Sequence, residues 1–352
     1  MRAFAVLMMV QGHTVDSLLG EEFRTFDSPF YAVWHTFRGF TAPIFMFTSG
    51  VVFTYLLRLN KLPFKENPRV KKGFKRFLLL LGIGYLLRYP TYKIFDFSNV
   101  SDEGWKIFYA VDALHLIGFG LLVIVILVYI AEKAKQSDFR IFLTGSLFFV
   151  LLYPLVKSVD WASIFPLPIA GYFYRDTGSL FPLFPWAGYV ISGGILGSYL
   201  ARNPEVFLSK KFGYRLLIIG ASFISLSVLV DGLSGFVQSE TSWSYSISVV
   251  FYRVGVVLVM NSVMSMIAVR VGGIPALIKQ IGRNTLPIYV IHLIILYGCA
   301  WIPGMYKFYS RSFSLELTLG FAAFMIILMV SMVIMIEKVK EVRKSKMSTA
   351  AA

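Results

Sequence analysis

Ten stretches of this chain are apolar for about the length of a membrane crossing, roughly 20 residues. They fall at 3–19, 39–59, 74–92, 111–131, 139–156, 182–201, 213–231, 247–268, 285–302 and 315–337. Each reads as a helix bound for a bilayer. The fifth is short. The first is the weakest: it is apolar from Ala3 to Val10, is then interrupted by Gln11, His13, Thr14 and Asp16, and has Arg2 at its start. The pattern predicts an all-α fold, a polytopic bundle of about ten transmembrane helices forming a single domain over 1–337. A basic tail, 338–352, follows and is expected to fray. No internal repeat or low-complexity segment breaks the pattern, and no connection is long and polar enough for a separate soluble domain.

Composition agrees. The 352 residues are 57% hydrophobic and only 15% charged, a balance that excludes an ordinary soluble domain. Cys299 is the one cysteine, which excludes an intrachain disulfide. The opening lacks a small-residue cleavage site after its apolar run, so no cleavable signal peptide is read there.

The net charge of +15 gains meaning from its placement. With the start inside, the cytoplasmic segments are 58–76, 132–140, 202–215, 270–283 and the tail. With Arg2 they carry 24 of the 34 Lys and Arg, while 13 of the 19 acidic residues fall on the outer side. Positive charge stays inside, as expected for ten spans with both termini cytoplasmic. The excess needs no nucleic acid, and anionic membrane lipid is a sufficient partner. The densest cluster, KLPFKENPRVKKGFKR at 61–76, also suits an anionic cofactor. On the outer side, Trp34, Trp105, Trp161, Trp186, Trp243 and Trp301 all fall at or near one face. An interfacial belt explains part of this, and a cap of loops over an outward site explains the rest.

Ionisable groups inside a membrane are costly, roughly 2.5–3.5 kcal/mol or more at a helix centre, so each is a functional candidate. There are four His. The topology places His13 near the outer end of the first span, His35 just before the second, His115 one turn into the fourth, and His292 mid-way along the ninth. His13 with Asp16, and Asp112 with His115, are spaced to share a helix face. A carboxylate beside an imidazole fixes its tautomer and stabilises its protonated form, as a general base needs. Polar contacts between helices are the plainer alternative. Metal ligation is a further one, but no HxxxH or HExxH occurs and no metal is expected. Arg2 and His13 are eleven residues, or about 16 Å, apart on one side of a helix. A cation at one end and a base at the other suit a substrate that threads the membrane.

Arg-x10-His in the first helix resembles the signature of the acyltransferase-3 membrane family. Other segments resemble its relative, the catalytic domain of heparan-α-glucosaminide N-acetyltransferases: HTFRGFTAPIFMFTSGVVF, DALHLIGFGLL, FPLFPWAGYVISGGILG and IGRNTLPIYVIHLII. With RAFAVLMMVQGHTVD they run in family order over residues 2–299. The chain departs from the family in having only Met1 before the arginine, which leaves open a truncated or misannotated start; the natural first helix would then be longer.

The resemblance implies transfer of an acyl group, usually acetyl, from cytoplasmic acyl-CoA (acetyl-CoA) to a sugar or glycan hydroxyl or amine on the far side. His13 matches the acyltransferase-3 histidine and His35 the outward histidine of the heparan-type enzymes; Asp16, His115 and Asp112 complete the catalytic candidates. Asn284, Tyr289 and His292 match the string Asn-x-Leu-x-x-Tyr-Val-x-His. Attack on a thioester needs a proton acceptor and donors for the oxyanion, and Arg38, Asn284 or Tyr289 are candidates for the second task. CoA phosphates call for cytoplasmic cations: Arg2, Lys71, Lys72, Lys75, Arg76, Lys210, Lys211 and Arg283. Arg88, Arg253 and Trp186 are candidates for holding the acceptor, with snorkelling the plainer reading of Arg88. SGGILG and FTSG read as small-residue faces that let helices approach closely. A bacterial-type inner membrane is the expected location, and a homodimer stays open as an assembly. The rival reading is a proton-coupled transporter of an anionic solute or lipid-linked sugar, with the His–Asp pairs as relay.

Overall fold

Each of the ten apolar stretches contains a helix in the computed structural model, which describes residues 1–234, 247–271 and 273–350. In chain order the helices are α1 (Arg2–Leu18), α2 (Pro29–Arg38), α3 (Thr41–Leu59), α4 (Pro68–Leu87), α5 (Asp102–Tyr109), α6 (Ala113–Lys133), α7 (Asp138–Leu151), α8 (Tyr153–Lys157), α9 (Trp161–Ile164), α10 (Leu167–Ala170), α11 (Leu183–Arg202), α12 (Lys210–Ser234), α13 (Ile247–Val271), α14 (Ala276–Arg283), α15 (Thr285–Tyr297), α16 (Met305–Tyr309) and α17 (Leu315–Ala350). Six helical runs are long and apolar enough to cross a membrane: Pro29–Leu59, Ala113–Lys133, Asp138–Lys157, Lys210–Gly232, Ile247–Val271 and Leu315–Met347. The all-α membrane class follows from them. Trp243 and the surrounding segment 235–246 lie outside the described residues.

Three elements differ from the sequence expectation. The ninth stretch ends as a helix at Tyr297, not at 302. Gly298 takes φ 82°, and Gly298–Cys299 pairs antiparallel with Ile302–Pro303 as a two-residue ladder, β1 with β2. Pro303 has no N–H to continue a helix. The connections 20–37 and 93–110 are not plain loops, because Pro29 and Ser101 start α2 and α5, proline at a first turn and serine as a side-chain cap. The tail stays helical to Ala350: from Glu337 to Met347 it has no Gly or Pro, and Lys, Glu, Arg and Met favour helix.

The chain forms two compact units, residues 1–42 with 271–352, and residues 43–270. In the first, Ala3, Val6 and Val10 make one face of α1, at the three-to-four spacing of a buried stripe. They pack with Ile281 of α14, Ile288 and Leu296 of α15, and Met325, Met329 and Val333 of α17. In the second, α11 lies against α3 through the two small-residue segments. A Cβ at Gly50 would collide with the Val190 carbonyl, and one at Gly193 with the Phe47 carbonyl. The FTSG and SGGILG faces therefore touch each other. Farther along, α12 and α13 meet at Gly220 and Gly255, where a Cβ on either would come within 2.8 Å of the other's carbonyl oxygen.

Candidate active site

The first unit holds a polar seam between α1 and α15. At one end Arg2 Nη2 donates to Thr285 Oγ1 at 2.6 Å. At the other, His13 Nδ1 lies 3.2 Å from the Tyr297 hydroxyl. The sequence separations are 283 and 284 residues, so the two helices run parallel and in register. Arg2 and His13 both face α15. Between these ends, Tyr289 and His292 are buried. The His13 ring lies 5.4 Å from the His292 ring, and Tyr289 meets His292 edge-on at 5.7 Å.

The tautomer of His292 follows from its bonds. Nδ1–H donates to the Ile288 carbonyl at 2.8 Å, leaving the Nε2 lone pair buried and without a hydrogen-bond partner. A ring held this way is oriented, and in its neutral form Nε2 is the nitrogen able to accept a proton.

The expected pairing of His13 with Asp16 does not form. Asp16 makes an ion pair with Arg38 of α2, and Arg38 also lies over the Trp34 ring, 6.0 Å from its centroid. A guanidinium on the facing helix outcompetes an imidazole three residues along the same helix, because it supplies a permanent charge. Arg38 crosses α1 at Gly12, where its Cγ would meet an added Cβ at 3.8 Å. Arg24 holds the end of α1: Nη2 donates to the carbonyls of Val15 and Asp16, and Nε to that of Leu19. Carbonyls in a helix's last turn lack the full set of intrahelical donors, and of these Val15 accepts from the Leu19 amide besides Arg24. His35 stands apart from the imidazole pair, exposed, with Phe26 and Tyr31 against its ring at 5.1 and 5.9 Å.

Asn284 also departs from expectation. It begins α15 at the Arg2 level, about 12 Å along the helix from His292. Its amide donates to Glu337 and to the Gln280 carbonyl, and its oxygen accepts from Lys340. With those bonds made it is no donor for chemistry at the histidines. Arg283, exposed in the last turn of α14, precedes it.

The second unit holds the other histidine pair, and here the expected contact forms. His115 Nδ1 is 2.8 Å from Asp112 Oδ1, and both residues are buried. Asp112 is also the N-cap of α6, accepting from the Leu114 and His115 amides, while the His115 ring reaches back to the Asp112 amide. The motif DALH is thus a capping box in which an imidazole replaces the usual glutamate. Arg88 Nε stands 3.7 Å from Asp112 Oδ2 and its Nη1 donates to Ile107 O, so it turns inward rather than snorkelling. Tyr85 meets the His115 ring edge-on at 4.4 Å, and its hydroxyl is 3.1 Å from that of Tyr172. Burial, then the Tyr85 phenol, pushes the Tyr172 ionisation up, so this hydroxyl stays protonated. Arg253 of α13 has the Trp186 ring as a neighbour, 5.7 Å from its centroid. Lys71, Lys72, Lys75 and Arg76 in α4, and Lys210 and Lys211 in α12, are exposed. Among the described residues no three His, Cys, Asp or Glu converge on a metal position.

Sequence reasoning missed Tyr297, Arg24, Tyr85 and Tyr172. A tyrosine or arginine beside an apolar run reads as interfacial. Only the register between helices shows that Tyr297 faces His13.

The helical membrane class is thus joined to an imidazole pair, His13 half-buried and His292 buried, at one end of a helix seam with an arginine at the other. The comparison with protein families is specific: the model of the acyltransferase-3 family, described as an acyltransferase domain, matches residues 1–336, and the chain belongs to that family. No curated protein and no solved structure matched it.

Proposed function

We propose that this membrane acyltransferase moves acetyl from cytoplasmic acetyl-CoA to a sugar or glycan amine or hydroxyl on the opposite side of a bacterial-type inner membrane, with His13 as general base. The observation that carries this reading is the register of α1 with α15, which sets Arg2–Thr285 at one level and His13–His292–Tyr297 about 16 Å away. That rise is about half of a ~30 Å hydrocarbon core. A donor anchored by phosphate at the Arg2 level therefore needs an extended arm to present its thioester to the imidazoles.

In the reaction the acceptor O–H or N–H proton passes to His13 as the heteroatom bonds to the thioester carbonyl carbon. The tetrahedral oxyanion collapses, the C–S bond breaks, and the CoA thiolate leaves and takes up a proton. His292, its ring 5.4 Å from that of His13, offers Nε2 as a second acceptor, and Tyr297 holds the His13 ring. Arg38 sits with Asp16 one turn farther along α1, near enough to the imidazole level for its positive charge to favour the oxyanion.

The test is transfer from acetyl-CoA by the purified protein in detergent across a panel of amino sugars and neutral sugars. His13→Ala should lower the rate at least 10²-fold, the usual contribution of a general base, and His35→Ala should leave most of it. Full activity in His13→Ala, or loss only in His35→Ala, would overturn the assignment of the base. Uptake of a sugar without any acyl-CoA turnover would point to the transporter instead.

A further inference from the structure

The second unit contains a cationic cavity that the transfer chemistry does not use. It has a volume of about 470 Å³ and is lined by Leu57, Arg58, Lys61, Leu62, Pro63, Glu132, Ala201 and Arg202. Two of its lining residues, Arg58 and Arg202, belong to a buried ion cluster. Asp138, 2% exposed, begins α7 and accepts from Arg58 Nε at 2.9 Å, Arg202 Nη2 at 2.8 Å and Ser198 Oγ at 2.5 Å. Arg58 Nη2 bonds its other oxygen. Arg58 is in the last turn of α3 and Arg202 ends α11, so two helix C-termini deliver guanidiniums to one carboxylate.

We infer that this cavity is a binding site for a phosphate group. The carboxylate fixes both guanidiniums, so little rotamer freedom is lost when a ligand arrives. Arg58 Nη1, Arg202 Nε and Nη1, and Lys61 Nζ make no hydrogen bond or ion pair among the described residues, and all three side chains line the cavity. Three cations stand against Asp138 and Glu132, and Glu132 is already engaged by the Phe64 amide. One positive charge is left uncompensated. A carboxylate has two oxygens, too few to reach all three cations. A phosphate, with its several acceptor oxygens, can take the remaining N–H groups of both guanidiniums and the ammonium together. The volume exceeds that of the anion alone, and Leu57, Leu62, Pro63 and Ala201 give an apolar wall for the group that carries it. A soluble nucleotide or pyrophosphate and an anionic phospholipid headgroup share this chemistry. The inference holds for either and does not depend on acyl transfer.

Binding of inorganic phosphate and of inorganic pyrophosphate to the full-length protein in neutral detergent separates the soluble sources from the lipid arm. That arm is thermal stabilisation in nanodiscs of phosphatidylcholine with and without phosphatidylglycerol. Lys61→Ala with Arg202→Ala should weaken the responding ligand about tenfold or more, while Lys133→Ala, outside the cavity, should not. Loss of soluble-probe binding identifies a free phosphate. Loss of the phosphatidylglycerol response alone identifies a headgroup. If the double variant does not fold, Lys61→Glu, which leaves every Asp138 partner in place, gives the same reading. Neither response changing in any cavity variant would overturn the site.

Discussion

The Tyr297 hydroxyl lies 3.2 Å from His13 Nδ1, joining the last residue of α15 to the next-to-last turn of α1. This bond, not the nearby carboxylate, orients the candidate base. Tyr297→Phe keeps the ring and removes the bond. Such a bond contributes about 0.5–1.5 kcal/mol, so kcat should fall roughly two- to tenfold with the protein still folded. Steady-state kinetics beside a melting curve checks this. An unchanged kcat would mean that Tyr297 does not position His13.

Asp16 and Arg38 differ in exposure, 18% and 41% for their side chains. Removing Arg38 strands a mostly buried carboxylate, whereas removing Asp16 leaves a guanidinium that can reach water. Arg38→Ala should therefore destabilise more than Asp16→Ala, by about 1–2 kcal/mol. Thermal unfolding of the two variants in the same detergent compares them directly, and the opposite order would refute the argument.

Asp112 both caps α6 and holds the His115 ring. Asn at this position still accepts from the Leu114 and His115 amides, so Asp112→Asn should cost less than Asp112→Ala, where the cap alone is worth about 1 kcal/mol. If activity falls equally in both variants, the negative charge toward His115 and Arg88 matters to function. If only the alanine variant suffers, Asp112 is structural.

Gly84 of α4 faces the His115 ring, and an added Cβ would sit 2.6–2.9 Å from three of its atoms. Gly84→Ala should destabilise by about 1–3 kcal/mol through overpacking. Adding His115→Ala should relieve the clash. Melting temperatures of the two single variants and the double variant measure the coupling, and simple additivity would show that the ring does not fill that space.

The all-α membrane class was legible because it rests on long apolar runs, which a window of about 20 residues detects wherever they fall. The DALH contact was legible too, since i and i+3 on a helix are neighbours wherever the helix goes. His13 and Asp16 share that spacing, yet they separate, because Arg38 and Tyr297 arrive from other elements. Asn284 failed for the same reason: its partners, Glu337 and Lys340, are more than 50 residues away in sequence. The Asp138 cluster left no local mark, since Arg58, Ser198 and Arg202 each look like an ordinary residue near a helix end. Spacing on one helix can be read directly. Competition between helices for a charge cannot.

The contact between Gly84 and His115 gives a way to read other chains of this family. Where position 84 carries any larger residue, the imidazole opposite should be gone or α4 displaced along its axis, so the two columns of an alignment should change together. A single hydrogen atom on one helix thus reports whether the ring on its neighbour is still there.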